Sequence, residues 1–154
     1  MLFVACAAAL AALALPAAED RLLYNHTPSV PVGLYVRTDG PIERGAFVTV
    51  RARDVAPAAA AARGFDDTTD RFIKRVAALA GDHVCASEGS LTINGAAYER
   101  RTYDSTGAPL PRWDACRALS PDEVLLLGDT DTSFDGRYWG PTNRGLIEGV
   151  WRRL

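Results

Sequence analysis

The 154-residue chain is 48% apolar and 23% charged, enough apolar material for one folded domain and outside the composition of disordered segments. Its net charge of −2 gives no electrostatic footprint for nucleic acid, so a nucleic-acid partner is not expected. Of the 17 basic side chains, only Lys74 is a lysine; every other one is arginine.

Residues 1–18 are uncharged and mostly apolar. As a helix they would extend roughly 27 Å, close to the ~30 Å hydrocarbon core of a bilayer. Ala and Leu crowd every face without an amphipathic stripe, which disfavours a buried core helix. A membrane anchor is the expectation, with a cleaved export signal as its rival. No Lys or Arg precedes the apolar run, and Pro16-Ala17-Ala18 matches a small-x-small cleavage site poorly.

Residues 19–154 read as a mainly β domain. Residues 34–36 and 46–53 are short strand candidates, separated by a turn over 38–45. The Ala-rich stretch 55–63 predicts a short helix or flap. Residues 71–77 form a strand candidate ended by Gly81-Asp82, and Asn94-Gly95 marks a two-residue hairpin within 90–98. Residues 102–112 are loop, 123–127 a buried strand, and a long Gly/Asp/Ser loop runs on to 144. Residues 146–151 then close the sheet.

Cys85 and Cys116 form no CxxC pair, which argues against zinc. Two readings stand: two buried thiols, or a disulfide in an oxidising compartment. The disulfide is the expectation if residues 1–18 carry the domain outside. It would close a loop of about 30 residues and stabilise the fold by roughly 3 kcal/mol in the chain-entropy model.

Three segments carry chemistry. In Phe72-Ile73-Lys74-Arg75-Val76, strand alternation puts Phe72, Lys74 and Val76 on one face. A lysine between Phe and Val would be desolvated, which lowers its pKa toward neutrality and makes the amine a general base. Arginine does not lose its proton in proteins and cannot replace it. The competing reading is an edge lysine whose head reaches water. Ser29 lies between Pro28 and Pro31, which stiffen the turn and aim the hydroxyl; the competing reading is a solvated serine in a Pro-rich loop. Residues 128–141 are a long polar loop ending in Tyr138-Trp139, unusual for a mere connection.

His26 and His83 lack the context of a familiar Ser/His/Asp triad, and the aspartates of 129–135 lack EF-hand spacing.

In this order the three segments resemble the signal peptidase I superfamily of serine–lysine proteases, in particular its TraF-type conjugative transfer peptidases. The matching motifs are Ser-x-Pro-x-Gly-Leu-Tyr from Ser29, Phe-Ile-Lys-Arg-Val-Ala-Ala-Leu-x-Gly-Asp from Phe72, and the loop from Gly128 through Ser133-Phe134-Asp135 and Arg137-Tyr138-Trp139-Gly140-Pro141. The cysteine pair and residues 62–65 also look like the TraF branch.

The resemblance implies a signal-peptidase-like, β-rich peptidase domain behind an N-terminal transmembrane helix. It implies Ser29 as nucleophile and Lys74 as general base. It also implies the Ser29 N–H and Thr27 hydroxyl at the oxyanion, Ser133 orienting the amine, and Asp135 and Arg137 bracing the loop as an ion pair. It implies no cofactor, placement at the bacterial inner membrane with the domain in the periplasm, and an exported pilin-like precursor as substrate. In that branch the substrate's own amine can resolve the acyl-enzyme to a cyclic product; the near alternative is a leader peptidase that hydrolyses signal sequences. A catalytically silent component of a transfer apparatus is the alternative from another class. Among departures from the family pattern, Thr130 replaces Asn or His and Leu79-Ala80-Gly81 replaces Leu-Pro-Gly. Gly136 stands where Ser is usual and implies a looser hold on Ser133 and Asp135.

Overall fold

A computed structural model describes residues 21–154. The expected anchor over residues 1–18 lies outside the described residues. Among those described, no helix is long and apolar enough to cross a membrane.

Among the described residues, eleven strands make two antiparallel sheets. The larger has the order β1-β2-β11-β3-β4-β9-β10 and the smaller β7-β6-β5-β8. In chain order the large sheet takes β1 (Leu22–Asn25), β2 (Gly33–Thr38), β3 (Phe47–Arg51), β4 (Arg71–Ala78), β9 (Glu123–Leu127), β10 (Thr142–Asn143) and β11 (Ile147–Arg153). The small sheet takes β5 (His83–Ser87), β6 (Ser90–Ile93), β7 (Ala96–Glu99) and β8 (Ala115–Ala118). Between β3 and β4 lie two short helices, α1 (Ala52–Val55) and α2 (Pro57–Ala62), and α3 (Gly136–Trp139) lies in the long loop after β9.

The alternation expected for β4 is present. Phe72 and Val76 pack into one apolar cluster with Val48, Val124 and Leu126, while Ile73 packs into another with Val30, Tyr35 and Trp151. β4 is an interior strand, hydrogen-bonded to β3 on one side and β9 on the other, so Lys74 is not an edge lysine. A third cluster, built on Val84, Leu91, Ile93, Leu125 and Leu127, joins the small sheet to the ends of β4 and β9.

The hairpin at Asn94-Gly95 forms as expected, with positive φ at both residues (49° and 87°), the geometry of a type I′ turn. The expected strand over 46–53 stops at Arg51, because the chain turns into α1 and buries Ala52. The Ala-rich stretch supplies α2, with Pro57 at its start, where the missing N–H leaves no helical bond unmade. The closing strand β11 does not cap an edge. It inserts between β2 and β3. Cys85 and Cys116 face each other across β5 and β8 and are bonded as a disulfide.

Candidate active site

The turn that carries Ser29 follows β1 and is held largely by one buried amide. Asn25 Nδ2 donates to the carbonyls of Thr27, Val30 and Pro31 at 2.7, 3.0 and 3.2 Å. With its amide nitrogen so committed, Asn25 Oδ1 accepts from the Thr27 N–H and from the Thr27 hydroxyl, each at 3.2 Å. The Thr27 oxygen is thereby left to accept the Ser29 hydroxyl proton across 3.1 Å. Tyr35, buried in β2, donates to the Pro31 carbonyl at 2.6 Å, and the Asp129 N–H donates to the Ser29 carbonyl at 2.5 Å. Two prolines and these bonds fix the turn while Ser29 stays half-exposed.

Lys74 stands in the opposite condition. It is 3% exposed, and its Nζ donates to Ser133 Oγ at 2.9 Å. Burial dominates its titration and lowers the amine to a pKa of about 8, with the Asp135 carboxylate pulling the other way. The Phe72 ring lies 5.7 Å from Nζ. The desolvated lysine expected from the Phe–x–Lys–x–Val alternation is therefore present.

The loop from Gly128 to Gly140 holds Ser133 through a buried ion pair. Asp135 is fully buried, and its carboxylate accepts from the Gly128 N–H at 2.8 Å and the Arg137 N–H at 3.0 Å. Arg137 lies 3.4 Å from Asp135 and donates to the carbonyls of Gly128 and Thr130, each at 3.1 Å. Burial pushes the Asp135 carboxyl upward, against the pull of Arg137. An ion pair this deep stabilises little in itself; removing one partner would strand a charge.

Gly128 is where the pieces meet. A Cβ there would come within 2.1 Å of Ser133 Oγ and 2.7 Å of the Ser29 carbonyl, so the backbone passes between the serine turn and the lysine's partner. Gly136, where a looser loop was expected, sits in close contact with β9. A Cβ at Gly136 would meet the Leu126 carbonyl at 2.7 Å, so the glycine permits close packing of α3 on β9.

Ser29, Thr27, Lys74 and Ser133 line one cleft of about 610 Å³. Phe72 and Phe134 give it apolar walls, which raise the worth of any charge developing inside. Asp135 and Arg137 support the loop from behind.

Three supporting residues were missed from sequence. Asn25 left a faint signal, because an Asx residue two positions before Thr can fold its side chain onto the next turn. Asp129 holds Ser29 through its backbone and pairs Arg75 in a fork of 2.8 and 2.7 Å, tying the serine turn to the lysine strand. Arg100 left none, because its partners are backbone carbonyls far away in sequence. The arrangement can present a hydroxyl and a low-pKa amine to a bond lying in the cleft.

The family model described as "Signal peptidase, peptidase S26" matches residues 1–153. The plasmid transfer protein TraF of Escherichia coli is 39% identical over 147 residues, spanning 83% of this chain and 79% of that protein. A probable signal peptidase I-2 of Synechocystis is 35% identical over 109 residues, spanning 70% of this chain and 45% of that protein. The crystal structure of a signal peptidase I from Enterococcus faecalis superposes with a TM-score of 0.42 at 20% identity, covering 73% of this chain and 97% of that one. A match along nearly the whole sequence and a relative at this identity fix the assignment: the chain belongs to the signal peptidase family, peptidase S26.

Proposed function

We propose that this protein is a serine endopeptidase in which Ser29 attacks the scissile carbonyl and Lys74 takes the hydroxyl proton. The observation that carries this reading is the single lysine, buried with an amine pKa of about 8, on the cleft that Ser29 also lines. A neutral amine there accepts the proton as the Ser29 oxygen forms its bond to carbon. The tetrahedral adduct collapses to an acyl-enzyme, and the protonated Lys74 returns its proton to the departing amine. A second nucleophile, activated by the same lysine, then releases the acyl group. In this reading the Ser29 N–H donates to the oxyanion, and the Thr27 hydroxyl joins it by turning its proton away from Asn25 Oδ1.

The substrate we assign is an exported, pilin-like precursor of a conjugation apparatus. The support is the 39% likeness to a plasmid transfer protein. The apolar run at residues 1–18 and the disulfide support a periplasmic domain anchored at the inner membrane, at the depth where an anchored substrate presents its cleavage site. Release by the substrate's own amine would give a cyclic product, and release by water a linear one. The Synechocystis relative favours, as a second reading, a leader peptidase that hydrolyses signal sequences.

The test is the intact mass of a candidate precursor co-expressed with this chain or with its Lys74→Arg variant. Shortening that requires Lys74 is the expected result, and a product one water lighter than the linear fragment identifies cyclisation. A precursor shortened equally by both chains would overturn the dyad. Precursors left whole by a correctly folded chain would leave a silent scaffold.

A further inference from the structure

Outside the cleft, Arg100 and Trp113 stand out among the described residues. Arg100 is 6% exposed, and each nitrogen of its guanidinium donates to a backbone carbonyl of a different segment. Nε reaches Arg137 at 2.9 Å, Nη1 reaches Ser87 at 2.5 Å, and Nη2 reaches Trp113 at 3.0 Å. Its nearest carboxylate, on the exposed Asp114, is 3.6 Å away. Trp113 completes the arrangement, since its indole N–H donates to the Gly136 carbonyl at 2.9 Å. The face of that ring lies against Gly140, where a Cβ would approach to 3.3 Å. The two carbonyls gripped on the loop, those of Gly136 and Arg137, belong to the residues directly after Asp135.

We propose that Arg100 and Trp113 are positioning residues of the peptidase, fixing the outer side of the loop that presents Ser133 to Lys74. This inference rests on the Ser29/Lys74 reading. Asp135 holds the loop from inside through the Gly128 and Arg137 N–H groups, but a side chain held at one end can swing. The connection between β7 and β8, reaching across with a rigid guanidinium fork and an indole, supplies the second hold. A planar fork suits this task because three fixed donors specify three carbonyl positions at once. With both holds in place, Ser133 stays at hydrogen-bond distance from Nζ and water stays out. Without the outer hold, the loop gains freedom and the amine becomes hydrated. Hydration favours the protonated form, so the Lys74 titration moves upward. The charged groups acting on Lys74 are Asp129, Asp135 and Arg137, all of this loop, and none of them is changed in the test.

The chain's single lysine makes the test direct, because 15N-lysine labelling gives one ammonium signal to titrate. Two variants serve. Trp113→Phe removes the indole N–H and keeps an aromatic ring, and Arg100→Gln loses the fork without adding a second lysine to the spectrum. In both, with circular dichroism unchanged, the Lys74 titration should move up toward the ordinary lysine range. In both, kcat should fall about ten- to a hundredfold while KM holds. A Lys74 titration that stays put in a folded variant overturns the proposal, as does a loss confined to KM. Should Arg100→Gln fail to fold, Trp113→Phe decides alone. Ser29→Ala is run alongside. If it processes precursor as well as the unaltered protein does, the dyad falls, while the titration still judges Arg100 and Trp113.

Discussion

The two halves of the candidate dyad are held by opposite means. Ser29 sits half-exposed on a turn fixed by neutral groups, namely one amide, two prolines and a phenol. Lys74 sits buried on a central strand, beside a hydroxyl and in the field of a buried ion pair. The difference follows from what each must do. A nucleophile has to be reached by a polypeptide and needs only direction, which stiff backbone and hydrogen bonds supply. A base with an ordinary pKa near 10.4 has to lose solvation before it is neutral near pH 8, and only burial provides that.

The largest expected effect is on the lysine side. Lys74→Arg keeps the charge and should lower kcat by about a hundred- to ten-thousandfold, read from initial rates on a precursor. Lys74→Met should be as inactive yet more heat-stable, with Tm up by about 3 °C, because it removes an amine that is costly to bury. A lower Tm would mean that the pocket stabilises its charge instead.

Joining the two halves, Gly128→Ala forces a methyl between Ser133 and the Ser29 carbonyl. Activity should fall about a hundredfold and stability by about 2 kcal/mol, measured by denaturant unfolding. Asn25→Ala acts on the serine side alone. It leaves the carbonyls of Thr27, Val30 and Pro31 short of a donor. We expect about 2 kcal/mol of lost stability and roughly a tenfold lower kcat, with the pH dependence unmoved.

That pH dependence is itself a measurement. The amine works neutral, so kcat/KM should rise with pH through about 8 and lose activity as the pH drops below it. A limb near 10 would place the working lysine in water. The smallest effect on turnover belongs to the disulfide, which lies in the small sheet away from the cleft. Replacing Cys85 and Cys116 by Ser should lower stability by about 3 kcal/mol and leave rates within about threefold.

The lysine strand was legible because alternation is local: Phe72, Lys74 and Val76 announce their shared face within five residues. Ser29 was legible through its prolines, and the hairpin through Asn94-Gly95. Strands β1 and β8 were not, because four residues with mixed burial carry no period, and β5 was not, because its alternation spans only five residues of which Cys85 and Ala86 are both small; all three exist through their partners. The fork of Arg100 was equally hidden. An arginine that binds backbone carbonyls chooses positions rather than residue types, so no motif records it. The need for glycine at Gly136 was hidden for a related reason, since it comes from the Leu126 carbonyl on another strand.

The placement of β11 has a consequence for synthesis. This strand follows all the other described strands in sequence, yet it lies between β2 and β3, and its Trp151 donates to Thr49 at 3.0 Å within the core. Trp151 also packs in the cluster with Val30, the residue after Ser29. The large sheet stays split until β11 has been made and has paired with both neighbours, and pairings over such sequence separations form slowly. The turn bearing Ser29 therefore gains its backing only after the loop of Ser133 is already made.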